Sequence, residues 1–154
     1  MTSSGASCKR QFFVPLLALN WLTCLTFWKN LPLMGRFQDL KAYQQARQVA
    51  LLSRPLIARL PQAEHDLADQ WRRASNSAVL NLAEGASRRG AKEFRRYADV
   101  ARASLHEVEA IIDLALSMGY LRPADVEHLC AVRDECARMV FGLIRKLGAA
   151  SANS

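Results

Sequence analysis

Residues 94–115 repeat their apolar positions with a seven-residue period. Phe94, Ala98, Ala101, Leu105, Val108, Ile112 and Ala115 follow one another at alternating steps of four and three. An α-helix brings such positions onto one face, whereas a half-buried strand would alternate at every second residue. The pattern is that of a helix laying one continuous seam against its neighbours, and it stops at Gly119. Three further runs share the helical period. Phe37, Leu40, Tyr43, Ala46, Ala50, Leu56 with Ile57, and Leu60 form the first, with Pro55 placed to kink or close it and Pro61 marking the break. Leu67, Trp71, Ala74, Ala78 and Leu82 form the second, and Gly85 is expected to end it. The last contains Val126, Leu129, Cys136, Val140, Leu143 and Leu147. It opens at Pro123, which suits a first helical position, with Asp125 and Glu127 where the helix dipole favours acids, and closes with Arg145 and Lys146 before Gly148. Arg133 interrupts this stripe, so the fourth helix is expected to be less buried midway. No stretch after residue 34 alternates with period two or is rich in β-branched residues. Four helices of about 20–27 residues, about 30–40 Å long, with short loops predict an all-α, up-down-up-down antiparallel four-helix bundle.

The bundle does not account for the start of the chain. Residues 1–33 contain no acid, three basic residues (Lys9, Arg10 and Lys29) and the apolar run Phe12–Trp28, broken by Pro15 and Asn20. Three readings are open for this segment: a signal peptide, a short membrane anchor, or sequence upstream of a true start at Met34. The run is at the lower limit for crossing a bilayer and no clear small-x-small cleavage site follows it. The organisation expected is therefore an extension over 1–33, a bundle over 34–148 and a tail over 149–154. Four cysteines, at 8, 24, 130 and 136, form no Cys-x-x-Cys pair and suit reduced thiols better than a disulfide framework.

Charge is distributed unevenly. The 154 residues hold 21 Lys+Arg against 14 Asp+Glu, a net +7, which points to an acidic partner. Between Arg72 and Arg102 lie eight basic residues and three acids. Of these, Arg72, Arg73, Arg88, Arg89, Lys92, Arg95 and Arg96 are the candidate nucleic-acid-binding residues. Arginine's planar fork suits phosphate, and Arg88, Arg89 and Lys92 cluster at a helix start whose free N–H groups also attract anions. The alternative is an ordinary solvated face. No zinc finger, aromatic RNA-binding motif or helix-turn-helix is evident, so binding is expected to be electrostatic and salt-dependent.

Other chemistry finds weaker support. Gly85 to Lys92 has a phosphate-loop-like glycine gap but lacks the Gly-Lys-Ser/Thr ending and follows a helix. A single Asp125-x-x-His128 is no di-iron set, and His128 with Cys130 and Cys136 lacks zinc spacing, so no metal or cofactor is expected. The second helix carries a narrow polar stripe of Arg73, Ser77, Asn81 and Glu84. With Ser104 and Glu107 on the third helix, Ser77, Asn81 and Glu84 are expected to form a structural polar network that fixes register.

Several segments then become familiar in combination. Phe37-Gln-Asp-Leu-Lys-Ala-Tyr-Gln-Gln-Ala46, Gln70-Trp-Arg-Arg-Ala-Ser-Asn-Ser77, Asn81-Leu-Ala-Glu-Gly85, Lys92-Glu-Phe-Arg-Arg-Tyr97, Ser104-x-x-Glu107-x-Glu109 and Met118-Gly-Tyr-Leu121 carry the likeness. Over about residues 36–148 the chain resembles the four-helix bundle proteins encoded in intervening sequences of bacterial 23S ribosomal RNA genes. The accessory variability determinant of diversity-generating retroelements belongs to the same group. The resemblance implies a small cytoplasmic bundle that assembles into a homopentamer, and for the accessory proteins it implies binding to a reverse transcriptase and nucleic acid. Met34 fits the usual start of such proteins.

Three functions follow as expectations. The first is a non-enzymatic oligomer that contacts RNA or DNA through its basic sector, as an accessory to a reverse transcriptase in one version. The second is a protein-protein scaffold without direct nucleic-acid binding. The third, an enzyme, would need Asn81, Glu84 and Glu107 to line a solvent cleft, and no small-molecule substrate is expected.

Overall fold

The computed structural model describes residues 35–152, and the expectations for 1–33 lie outside the described residues. A single helical turn, Gly35–Gln38, precedes four long helices: α1 Lys41–Ile57, α2 His65–Ser87, α3 Ala91–Ser117 and α4 Pro123–Ala152. No strand occurs among the described residues. α2 and α3 share the most extensive interface, and the α3–α4, α1–α2 and α1–α4 contacts close the ring of an antiparallel bundle.

Each connection has a local cause. Pro55 sits in the last turn of α1, where it cannot donate to the Leu51 carbonyl and so weakens the helix, which closes two residues later at Ile57. A 3₁₀ turn, Gln62–Glu64, leads from Pro61 into α2. At the end of α3, Gly119 adopts φ +73°. The Tyr120 N–H reaches the Ala115 carbonyl (2.9 Å) and the Gly119 N–H that of Leu116 (3.0 Å). These two bonds form a Schellman motif, and the left-handed residue it requires favours glycine. Asp125 then accepts the Arg122 backbone N–H (2.9 Å), capping the start of α4. The same carboxylate accepts from the Arg59 guanidinium (2.9 Å), and the Tyr120 hydroxyl donates to Glu64 (2.8 Å). The α1–α2 connection is thus tied to the α3–α4 turn at one end of the bundle.

The core seam of α3 is the one its repeat predicts, with Ala98, Ala101, Leu105, Val108, Ile112 and Ala115 all buried and Phe94 half-buried. Trp71 and Leu82 of α2, Leu129 and Val140 of α4 and Val49 of α1 fill the spaces between seams, and alanines at 42, 46, 74 and 78 let the helices approach closely.

Three local expectations are corrected. The buried face of α1 is Ala42, Ala46, Val49, Ser53 and Leu56, with Tyr43 and Ala50 half-buried at its edge. The stripe read from Phe37 and Leu40 is shifted because those residues precede the helix. Gly85 does not end α2, which continues to Ser87. It is buried, and a Cβ there would lie 2.6 Å from Phe94 Cδ2 and 2.9 Å from Tyr97 Cβ, so its role is to admit α3. As expected, α4 is less buried midway, with no fully buried residue between Leu129 and Cys136, but Arg133 itself is not an exposed interruption. Its side chain is only 11% exposed, paired with Glu109 of α3 (2.8 Å) and Asp134 (3.0 Å). Finally, α4 does not close before Gly148 but runs on to Ala152.

Candidate nucleic-acid interface

The connection between α2 and α3 is three residues long, Arg88-Arg89-Gly90, and Gly90 caps α3 with extended backbone and no side-chain hydrogen bond. The first N–H groups of α3 therefore face outward beside a concentration of cations. The cations are not equivalent. Arg88 folds back onto its own bundle. Its guanidinium pairs with Glu84, hydrogen-bonds the Tyr97 hydroxyl (2.8 Å) and lies 5.0 Å from the centre of the Tyr97 ring. The Tyr97 hydroxyl in turn donates to Glu84 (2.9 Å). Hydrogen bonds from Tyr97 and then Arg88 hold the Glu84 carboxyl below its ordinary range, and the same pairing raises Arg88. Arg88 is therefore neutralised locally. Arg95 and Arg102 flank Asp99, each at 4.0 Å. The Arg95 guanidinium also reaches α4, 3.3 Å from where a Cβ on Gly148 would stand.

Arg89, Lys92 and Arg96 remain. All three are exposed, and none has a carboxylate partner among the described residues. Lys92 and Arg96 are one helical turn apart on α3, and Arg89 precedes them in the loop, so the three form a compact cationic cluster.

The structure divides the seven expected nucleic-acid-binding residues. Arg88, Arg89, Lys92, Arg95 and Arg96 gather at the α2–α3 end. Arg72 lies sixteen positions before Arg88, about 24 Å away along the helix. It pairs with Asp69 and faces a groove of about 830 Å³ between α1 and α2, together with Arg47 and Arg54. Arg73, next to Arg72 on α2, is exposed but does not line that groove. Arg47 and Arg54 are not among the residues expected from the sequence, although their seven-residue spacing on one helix is a signal that places them together. Tyr97, which organises Glu84 and Arg88, is not among them either, because its partner lies across a turn.

The expected polar network is smaller than its five candidates. Ser77 and Ser104 meet across the α2–α3 interface with their hydroxyls 2.9 Å apart, and Asn81 donates to the Ser77 carbonyl (2.8 Å) and hydroxyl (3.1 Å). The Ser104 hydroxyl donates to the Val100 carbonyl (3.1 Å), so the cluster is internally satisfied. Glu84 belongs instead to the Tyr97–Arg88 cluster. Glu107 is exposed and takes no hydrogen bond or ion pair among the described residues. Asn81, Glu84 and Glu107 therefore do not line a common cleft.

His65 and His106 are exposed beside Asp66 (3.1 Å) and Glu109 (3.3 Å), and no group of three His, Cys, Asp or Glu side chains among the described residues is arranged to hold a metal. Among the described residues, no helix is long and apolar enough to cross a membrane.

A family model described as 23S rRNA-intervening sequence protein matches residues 38–142, more than half of the chain. None of the curated proteins compared with the chain matches it.

Proposed function

The chain belongs to the 23S rRNA-intervening sequence protein family, and from that premise we propose a non-enzymatic, cytoplasmic protein. It assembles with copies of itself, as a pentamer on the resemblance above, and associates with nucleic acid through the start of α3. One observation carries this reading: Arg89, Lys92 and Arg96 stand exposed without carboxylate partners beside the uncapped N–H groups of a helix start. Cations held apart from internal acids keep their charge for phosphate, and helix-start N–H groups add oriented donors. Arg88 and Arg95 support the cluster more than they extend it, since Glu84 and Asp99 already engage them. No group here is set to read base edges, so affinity outweighs sequence preference.

Binding to single-stranded RNA and duplex DNA, titrated with salt, tests the reading. Arg89→Glu with Lys92→Glu and Arg96→Glu should abolish binding at low salt, while Arg88→Gln should have a smaller effect. Binding unchanged by the triple variant would refute it.

A scaffold reading is favoured by a separate observation: Phe141 on α4 is half exposed, a large apolar side chain suited to a protein contact. In that case a partner such as a reverse transcriptase docks directly and brings the nucleic acid with it. Co-purification that survives nuclease digestion, with no binding to free nucleic acid, would select the scaffold.

A further inference from the structure

α3 carries two seams. The one described above is buried in the bundle. A second, Val100, Ala103, Glu107, Ala110 and Leu114, repeats at steps of three, four, three and four on the exposed side of the helix. Val100 is 42% and Leu114 45% exposed. A surface helix of a monomer normally turns charged residues outward along such a line. Here four of five positions are apolar, and alanines at 103 and 110 leave room for another backbone to approach. The only charge in the seam, Glu107, has no partner among the described residues.

The α1–α2 groove has the opposite character. Leu51 (45% exposed) and Leu80 (65% exposed) provide apolar surface there. Arg47 and Arg54 bracket Leu51 at a seven-residue spacing, about 10 Å along α1, and neither has a carboxylate partner among the described residues. No acidic residue lines the groove, and its third arginine, Arg72, is already paired with Asp69.

One surface of the molecule is thus a helical ridge with a central unpaired acid, and another is a groove of mixed apolar and polar lining with two unpaired cations. We infer that the occupant of the groove is the exposed α3 seam of a second copy of this chain. Glu107 then comes between Arg47 and Arg54 beside Leu51, and Val100 and Leu114, each about 10 Å from it along the helix, pack toward the two ends of the groove, one of them on Leu80. The like spacing of Val100, Glu107 and Leu114 and of the two arginines, seven residues in each case, sets the register. The two faces are different surfaces, so the contact is heterologous, and every copy offers both halves. Such contacts are all satisfied only when the copies close into a ring. The inference rests on the homo-oligomer reading and specifies its interface.

Sedimentation velocity on the full chain, across protein concentration and salt, tests it. Glu107→Arg should weaken association by on the order of tenfold or more, as like charges meet across the contact. Arg47→Glu with Arg54→Glu should do the same, and the triple variant combining both reversals should recover assembly. Leu114→Lys tests the apolar part independently of charge. All these positions are exposed, and far-UV circular dichroism checks that helicity is kept. If the wild type assembles and none of the variants weakens it, the contact is overturned while the homo-oligomer stands. Weakening by each reversal without recovery in the triple variant overturns the pairing of Glu107 with the arginines. A wild type that is monomeric at every concentration overturns the contact and the oligomer together.

Discussion

Replacing Gly85 by alanine tests how closely α2 and α3 are packed. In an isolated helix the change is favourable by about 1 kcal/mol, because alanine loses less backbone entropy. In this bundle the new methyl group would stand 2.6 Å from Phe94 Cδ2, 3.0 Å from Phe94 Cε2 and 2.9 Å from Tyr97 Cβ. The Phe94 ring can rotate, but the Tyr97 Cβ is fixed to the α3 backbone, and Tyr97 is also held by Glu84 and Arg88. Relief therefore requires α3 itself to move. Overpacking of this kind costs about 1–3 kcal/mol, and two contacts below 3.0 Å put it near the upper end. After subtracting the propensity gain, Gly85→Ala should destabilise the protein by roughly 1–2 kcal/mol, a fall in Tm of about 3–10 °C for a domain of this size. Gly142→Ala is the matched control. Gly142 lies in α4 with nothing within 4 Å of its added Cβ, so the same chemical change should be neutral or stabilising by up to about 1 kcal/mol. The assay is urea unfolding followed by far-UV circular dichroism at one fixed protein concentration, since assembly would otherwise shift the midpoint. A Gly85→Ala protein as stable as Gly142→Ala would refute the close approach at this crossing.

Three further outcomes are expected. Asp125 accepts from Arg122, from Arg59 and from the Arg122 backbone N–H, which hold its carboxyl well below the usual carboxylate range. Its folded form thus resists protonation more than the unfolded chain does. That stabilisation is complete above about pH 4 and is lost as pH falls below it. The urea midpoint of the wild type should accordingly drop more steeply on acidification than that of Asp125→Asn. Burial pushes the Cys136 thiol up to about 12 and, more weakly, raises Cys130. Peptide-resolved alkylation at about pH 8 should therefore leave Cys136 unmodified until the protein unfolds, with Cys130 reacting first. At the basic turn, replacing Arg89, Lys92 or Arg96 by alanine should make the plot of log K against log salt on duplex DNA shallower, by about 0.9 for each phosphate the side chain neutralises. A slope unchanged in all three single variants would place the phosphate-binding surface elsewhere.

The same residues show why some features are legible along the chain and others are not. Periodicity locates a helix and the phase of its buried face when the run is long and uninterrupted, as in α3. In α1 the phase is misleading, because Phe37 and Leu40 are apolar residues of the preceding turn and no local rule separates them from the helix. Gly85 illustrates a different difficulty. A glycine near a helix end is commonly a terminator, and the reason it is internal here, the Phe94 ring, is nine residues away and visible only after α3 folds back. Arg133 similarly resembles an exposed interruption because Glu109, its counter-ion, lies on another helix.

Local chemistry acting over one or two turns was therefore determined by the sequence alone: four helices, the glycine stop after α3, the proline start of α4 and a concentration of arginine between 72 and 102. Which charges remain available was decided by the tertiary structure. Packing gave Arg88 to Glu84 and Tyr97, turned Arg72 toward the α1–α2 groove with Arg47 and Arg54, and left Arg89, Lys92 and Arg96 unpaired at the α3 start. The physical reason is range. Helix propensity and capping depend on neighbours within about four residues. Charge neutralisation and close packing depend on which side chains meet across helices, and only the folded bundle sets those distances.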